Sequence, residues 1–257
     1  MSKVVNVKEL TIGEGIPKIC VPITSAKKEG IIAEAKKIAG GAADMVEWRV
    51  DFLDETNPFP IVNEVLKELR DILGNIPLLF TFRTREEGGN KSIAVEQYEA
   101  LNYNVALTGY VDLIDVEVFL ENCNTGLLID KVQKLGVKVI ASNHDFNKTP
   151  IRGEIVRRLR YMQNIGADIA KIAVMPNSKK DVLELLAATE EMDTAYPDTP
   201  IITMSMGRDG AISRIAGEIF GSSITFGIVE KPSAPGQISV DKLVQSLHLL
   251  HETVDNF

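Results

Sequence analysis

The sequence predicts an α/β fold, a single (β/α)8 TIM barrel occupying residues 1–257 as one domain. Three observations carry this. Short runs rich in Val, Ile, Leu and Phe recur eight times; each is followed by a longer stretch with helical spacing; and no composition break or Pro/Ser-rich linker divides the chain. The strand-like runs are Lys18–Ile23, Asp44–Val50, Pro77–Arg83, Val111–Val118, Val137–Asn143, Asp168–Val174, Pro200–Met206 and Ser223–Val229. Their starts lie 23–34 residues apart, room for one strand, one helix and two short loops. A doubly wound open sheet is the alternative, but neither a GxGxxG nor a Walker A loop supports it.

Ahead of the first run, Lys3–Ile12 reads as a short hairpin closing the N-terminal end of the barrel. The connections read as amphipathic helices. Between Ile151 and Ile165, for example, Ile151, Ile155, Leu159 and Met162 keep helical spacing. Thr149 is the expected N-cap there, Pro150 the first helical residue and Gly166 the stop.

Against 28 Lys and Arg stand 36 Asp and Glu, a net charge of −8. That balance disfavours general binding to nucleic acid or anionic membranes, so an anionic ligand must be met by locally placed arginines. Cys20 and Cys123 are far apart and form no CxxC pair, which fits reduced thiols in the cytoplasm. Lys3, Lys8 and Glu9 interrupt any signal-like run at the start, and no apolar run reaches the ~18 residues of a membrane span. In that compartment the sequons at Asn90 and Asn147 carry no meaning.

In such a barrel, catalytic groups come from the C-terminal ends of strands. Candidates there are Glu47 and Arg49, Arg83 with Glu87 four residues on, His144 and Lys171, with the thioether pair Met204 and Met206 ending the seventh strand. Lys171 lies inside the apolar run Ile-Ala-Lys-Ile-Ala-Val. Desolvation favours its neutral amine, a carbonyl nucleophile of the kind Schiff-base enzymes need. The alternative is a snorkelling lysine, or one paired with a carboxylate. Of three histidines, His248 and His251 belong to the last helix and suit surface or packing roles. His144 is left as the general acid/base candidate. Arg214, near the start of the helix after the seventh strand, suits bidentate binding of a carboxylate, with an ordinary solvated arginine as the alternative. Residues 231–237, Lys-Pro-Ser-Ala-Pro-Gly-Gln, read as a lid or, alternatively, as a fixed turn. No spacing suits zinc or magnesium, so no metal and no cofactor is expected.

Together these pieces resemble the type I 3-dehydroquinate dehydratases, Schiff-base dehydratases of the shikimate pathway. The resemblance spans the chain: Glu-Trp-Arg-Val-Asp (47–51), Leu-Leu-Phe-Thr-Phe-Arg (78–83), Glu-Gly-Gly (87–89), Ser-Asn-His-Asp-Phe (142–146), Lys-Ile-Ala-Val-Met-Pro (171–176), Ile-Ile-Thr-Met-Ser-Met (201–206), Ile-Ser-Arg (212–214) and Ser-Ala-Pro-Gly-Gln (233–237). It implies that 3-dehydroquinate is the substrate, that Lys171 forms the imine, that His144 is the general acid/base and that Glu87 partners it. It implies that Arg214, Ser233 and Gln237 hold the substrate carboxylate, and that Glu47, Arg49 and Arg83 hold the ring hydroxyls. Met204, Met206, Phe146 and Phe226 would line the pocket, and a homodimer is implied. The sequence departs from the family pattern at Ala170, where relatives often carry Pro, and at Pro22, where some carry Ser. Another lysine-dependent barrel lyase and an inactive binding protein are the competing readings.

Overall fold

The computed structural model describes residues 4–54, 59–229 and 233–254. The expected hairpin is there, apart from Lys3, which lies outside the described residues: β1 (Val5–Val7) pairs antiparallel with β2 (Leu10–Ile12). Eight parallel strands follow, β3 (Lys18–Ile23), β4 (Met45–Arg49), β5 (Leu78–Thr81), β6 (Leu113–Glu117), β7 (Lys138–Asp145), β8 (Ile169–Val174), β9 (Ile201–Ser205) and β10 (Ile224–Ile228). From β3 to β9 each pairs with the next, β10 pairs back to β3, and the short β11 (Ile238–Ser239) runs beside β10. The seam between β9 and β10 closes through the bridge Ile201–Ser222. There Ser223 N–H donates to Ile201 O at 2.8 Å, and Ser222 Oγ accepts the Thr203 N–H at 3.0 Å. A serine side chain thus supplies a bond that the backbone of β10 would otherwise make.

The helices are α1 (Lys28–Ala39), α2 (Phe59–Leu73), α3 (Val95–Leu107), α4 (Thr125–Gln133), α5 (Arg152–Asn164), α6 (Lys179–Ala195), the short α7 (Ile212–Ile215) and α8 (Gly217–Phe220), and α9 (Val240–Val254). Among the described residues, no helix is long and apolar enough to cross a membrane. The start of α5 differs from the sequence reading. Its N-cap is Ile151, without a side-chain cap and 76% exposed, and Thr149 Oγ1 instead donates to Met175 O at 3.0 Å. Tertiary demand on that hydroxyl outweighed its capping propensity. The other end is as expected. Gly166 takes φ +90°, and its N–H and that of Ala167 satisfy the carbonyls of Gln163 and Met162, a Schellman arrangement.

Alternation along the strands divides two apolar layers. Outward residues such as Val46, Phe80, Ala141 and Ile172 pack under the helices. Inward, the lowest residues are all apolar or thiol: Cys20, Met45, Leu79, Leu113, Ile140, Ile169, Ile202 and Ile224, with Val5, Val7 and Ile12 of the hairpin sealing them from below. Full burial of each large aliphatic side chain contributes about 1.5–3 kcal/mol, so this floor anchors the barrel. Two residues further along the strands the inward positions change character, to Glu47, Thr81, Asp115, Ser142, Lys171, Met204 and Phe226. After two more come Arg49, Arg83, Glu117 and His144. Charge therefore enters the barrel only toward the C-terminal ends of its strands.

Candidate active site

A cavity of about 470 Å³ opens at that end and is lined by Glu47, Arg49, Arg83, Glu87, His144, Phe146, Lys171, Met204, Met206, Arg214, Phe226, Ser233 and Gln237, among others. The site residues that the resemblance implies are therefore brought to one place. Of the expected lid, 231 and 232 lie outside the described residues. Its remaining part is docked inward, with Pro235 O accepting from Gly207 N–H at 3.1 Å and from Arg214 Nη2 at 3.0 Å.

Lys171 is 3% exposed. Its Nζ donates to Asp115 Oδ2 at 3.2 Å, lies 3.9 Å from Glu47 Oε1, and stands 4.5 Å from the Phe226 ring centroid. The amine is thus paired with a carboxylate, the alternative left open by the argument from apolar neighbours; the partner's identity is what it could not give. Asp115 is the residue that argument missed. It sits with Glu117 at i and i+2 in Leu-Ile-Asp-Val-Glu, the same one-face spacing that flagged Glu47 and Arg49. Burial works against a charged Asp115, but the Arg83 guanidinium and the Lys171 amine outweigh it and hold the carboxyl below its usual range.

Arg83 is the hub of the buried charges. Its Nη1 donates to Glu117 Oε1 at 2.8 Å and to Ser142 Oγ at 3.0 Å, and its Nη2 to Asp115 Oδ1 at 2.8 Å. Its fork is therefore already engaged, rather than held free for a substrate hydroxyl. Arg49 likewise gives Nε and Nη2 to Asp51, at 2.8 and 2.9 Å. Glu47 Oε1 accepts from Thr81 Oγ1 at 2.9 Å.

Glu87 reaches the site from the 3-10 turn Arg85–Glu87 that follows β5. The two glycines after it make that turn possible. Gly88 has φ +85°, and a Cβ there would lie 2.2 Å from the Phe146 ring; one on Gly89 would lie 1.9 Å from Arg83 O. So the Glu-Gly-Gly motif is steric in origin. Glu87 Oε2 accepts the His144 backbone N–H at 3.0 Å and lies 2.9 Å from His144 Nδ1, while Oε1 accepts from Asn143 Nδ2 at 2.8 Å. Burial, then the Glu117 carboxylate, push the Glu87 carboxyl up to about 8, against the pull of Arg83 and the Asn143 hydrogen bond. Burial, then Arg83, Lys171 and Arg49, hold the His144 imidazole well below its usual range. The two titrate as a pair. When the pair carries the extra proton, Nε2 is an N–H whichever side of the Nδ1–Oε2 contact holds the other hydrogen. When it does not, Nε2 offers a lone pair. Such a group can give and take a proton near neutral pH.

Arg214 is 1% exposed. It lies at the end, not the start, of the four-residue α7, so no helix N-terminus reinforces it. Its Nη2 serves Pro235 O, while Nε and Nη1 are buried without a hydrogen-bond partner. Burial pushes the guanidinium down to about 10. Among the described residues no carboxylate pairs with it, and a buried fork with two unsatisfied N–H groups beside a cavity is suited to an incoming carboxylate. Ser233 and Gln237 bind one another, Nε2 to Oγ at 3.0 Å, and both face the same cavity. Their turn is ordered by Gln237 Oε1, which accepts the Ser233 N–H at 2.7 Å.

Fold and site together define a barrel enzyme that carries a buried amine, a histidine–carboxylate pair and a buried arginine with unpartnered nitrogens at the C-terminal face of its strands. A family model described as type I 3-dehydroquinase matches residues 19–254. The chain is 53% identical over 255 residues to a 3-dehydroquinate dehydratase of Clostridioides difficile strain 630, covering 99% of this chain and 100% of that one. A solved type I 3-dehydroquinate dehydratase from Clostridium difficile, with covalent modified comenic acid, superposes with a TM-score of 0.93 at 54% identity. It covers 98% of this chain and all of its own. A 3-dehydroquinate dehydratase from Geobacillus kaustophilus HTA426 gives a TM-score of 0.94 at 35% identity, covering 98% of this chain and 99% of its own. The chain belongs to the type I 3-dehydroquinase family, and with it to the hydro-lyases.

Proposed function

We propose that this chain removes water from 3-dehydroquinate to give 3-dehydroshikimate, as a step of the shikimate pathway, through an imine on Lys171 with His144 carrying the proton. The observation that carries the reading is that the Lys171 amine, the His144 imidazole and the unpartnered guanidinium of Arg214 share one cavity. A β-hydroxy ketone bearing a carboxylate asks for those three groups. The covalently modified ligand of the 54% identical relative is consistent with a covalent course.

In this reading Lys171 Nζ releases one proton and attacks the ketone carbon, and the ketone oxygen takes up that proton and a second from the nitrogen to leave as water. The resulting iminium is an electron sink. His144 Nε2 takes a proton from the adjacent carbon, and the C–H electrons move into the C–N system to give an enamine. Those electrons then return to expel the β-hydroxyl, which takes the proton from Nε2 and leaves as water. One water hydrolyses the conjugated iminium and frees the amine, so the net loss is one water. Glu87 holds the ring and supports the imidazolium. Arg214, with Ser233 and Gln237, holds the carboxylate. The ring hydroxyls fall to Glu47, Arg49 and Arg83, the last acting from a fork already bound to Asp115 and Glu117. Met204, Met206, Phe146 and Phe226 supply apolar wall. By the same resemblance we propose a cytoplasmic homodimer, which light scattering on the eluted protein tests.

Borohydride reduction in the presence of 3-dehydroquinate, followed by peptide mass mapping, tests the covalent reading. The expected result is a reduced adduct on the peptide containing Lys171. Wild-type turnover with an adduct on a different lysine, or with none, overturns it.

A further inference from the structure

We infer that Arg158, on the outer helix α5, is a positioning residue for the Glu87–His144 pair and acts through the side-chain amide of Asn143. The inference rests on the proton-carrying role proposed for that pair. Asn143 alternates with Ser142 and His144 along β7, so it faces the helix layer while they face the cavity. Arg158 Nη1 donates to Asn143 Oδ1 at 2.9 Å, and Asn143 Nδ2 donates to Glu87 Oε1 at 2.8 Å. A guanidinium has no acceptor, so only the amide oxygen can face it. That leaves the amide nitrogen, and nothing else, for Glu87. Arg158 is itself anchored, with Nε donating to Glu154 Oε1 at 2.7 Å and the guanidinium 5.9 Å from the Phe119 ring centroid. The reaction as proposed leaves Arg158 untouched by substrate.

Freed from Arg158, the amide can turn over and set Oδ1 against Glu87 Oε1. Two acceptors in contact repel unless Glu87 is protonated, so the loss of Arg158 raises the proton affinity of the pair. The other charged groups facing the pair are Arg83, 3.5 Å from Glu87 Oε2, with Glu117 and Asp115 from β6, Lys171 from β8 and Arg49 from β4. Among the described residues the hydrogen bonds of Arg158 go to Glu154 and Asn143, not to these groups, so its substitution leaves their contacts in place.

The test uses Arg158→Met, which keeps the apolar stem and removes the donors, Arg158→Lys, which keeps a charged donor, and Asn143→Leu, which removes the amide. The first readout is the titration of His144 by ¹⁵N NMR on histidine-labelled protein without substrate; the chain has only three histidines to assign. The second is the acid limb of kcat/KM. In Arg158→Met both midpoints should move up by roughly half a pH unit, the scale of one oriented hydrogen bond. KM should stay unchanged, Arg158→Lys should return most of the shift, and Asn143→Leu should shift at least as far. Midpoints in Arg158→Met that coincide with wild type overturn the inference, as do equal shifts in the Met and Lys variants. Because the NMR titration needs no turnover, the two proposals separate. A moving His144 midpoint in a protein without dehydratase activity keeps the positioning role and removes the reaction. A Lys171 adduct with a fixed midpoint does the reverse.

Discussion

The Oε2 atom of Glu87 meets His144 twice, at the ring Nδ1 (2.9 Å) and at the backbone N–H (3.0 Å). One carboxylate oxygen thereby fixes both the ring and the strand end that carries it, leaving Nε2 as the nitrogen turned to chemistry. His144→Ala should cost roughly 10²–10⁴-fold in kcat, the range for a general acid/base. The imine should still be trapped by borohydride, because its formation draws on Lys171. Wild-type turnover in this variant would remove His144 from the reaction.

Lys171→Ala should abolish the trapped adduct and lower turnover by several orders of magnitude, since the proposed electron sink is lost. The barrel should remain folded, because Asp115 keeps its bonds to Arg83 and Ser142. Intact-protein mass spectrometry beside circular dichroism reads both effects.

Arg214→Ala should raise KM strongly, and Arg214→Lys should restore little of it, because an ammonium lacks the two-pronged geometry. The loss should be specific to carboxylate-bearing ligands. An unchanged KM, where KM follows affinity, would release Arg214 from substrate binding.

The Glu87 carboxyl is held above its ordinary range, so its contribution to stability is complete below that range and is lost as pH rises through about 8. His144, held low, acts oppositely and costs stability as pH falls below the ordinary imidazole range. Glu87→Gln removes the carboxyl contribution together with its coupling to the imidazole, and at about pH 9 the imidazole is neutral in both proteins. Its Tm should therefore match wild type at about pH 4 and exceed it at about pH 9, since only the wild type must bury a charge there. Its kcat should fall across the whole range. A Tm difference that shrinks with rising pH would contradict the assignment.

The barrel floor gives a prediction about stability without chemistry. Ile12 is fully buried beneath the inward strand residues. Ile12→Ala should cost about 2–5 kcal/mol in urea unfolding while leaving kcat/KM of the folded enzyme unchanged. A loss of activity larger than the loss of folded protein would mean that the floor shapes the site as well.

The parts of this molecule that sequence carries well are those fixed by periodicity. All eight barrel strands fall within two residues of their expected bounds, because apolar runs of that length between helical stretches have few other uses. The hairpin was legible for the same reason. What escaped was partnership. Asp115 and Glu117 sit in a run that reads as an ordinary strand, and only the curl of the sheet brings them to Arg83 and Lys171. The fork of Arg83 looked free because its three acceptors, on Glu117, Ser142 and Asp115, lie 32 to 59 residues away in sequence. Thr149 had the propensity of a helix cap, but a carbonyl 26 residues downstream claimed its hydroxyl. Local propensity is readable in one dimension; competition for a hydrogen bond is not.

The apolar floor, eight strand residues plugged by the hairpin, makes the reaction chamber a room with one door. Among the described residues the floor offers neither water nor a proton a polar route out, so in the proposed reaction substrate, both expelled waters, the hydrolytic water and product pass the same opening in turn. In the proposed reaction, a proton lifted from carbon by His144 therefore meets the departing hydroxyl before it meets the bulk. With substrate deuterated at the carbon that loses its proton, the label should leave in the expelled water, and a single turnover run in reverse should return solvent label to carbon only as fast as the door opens.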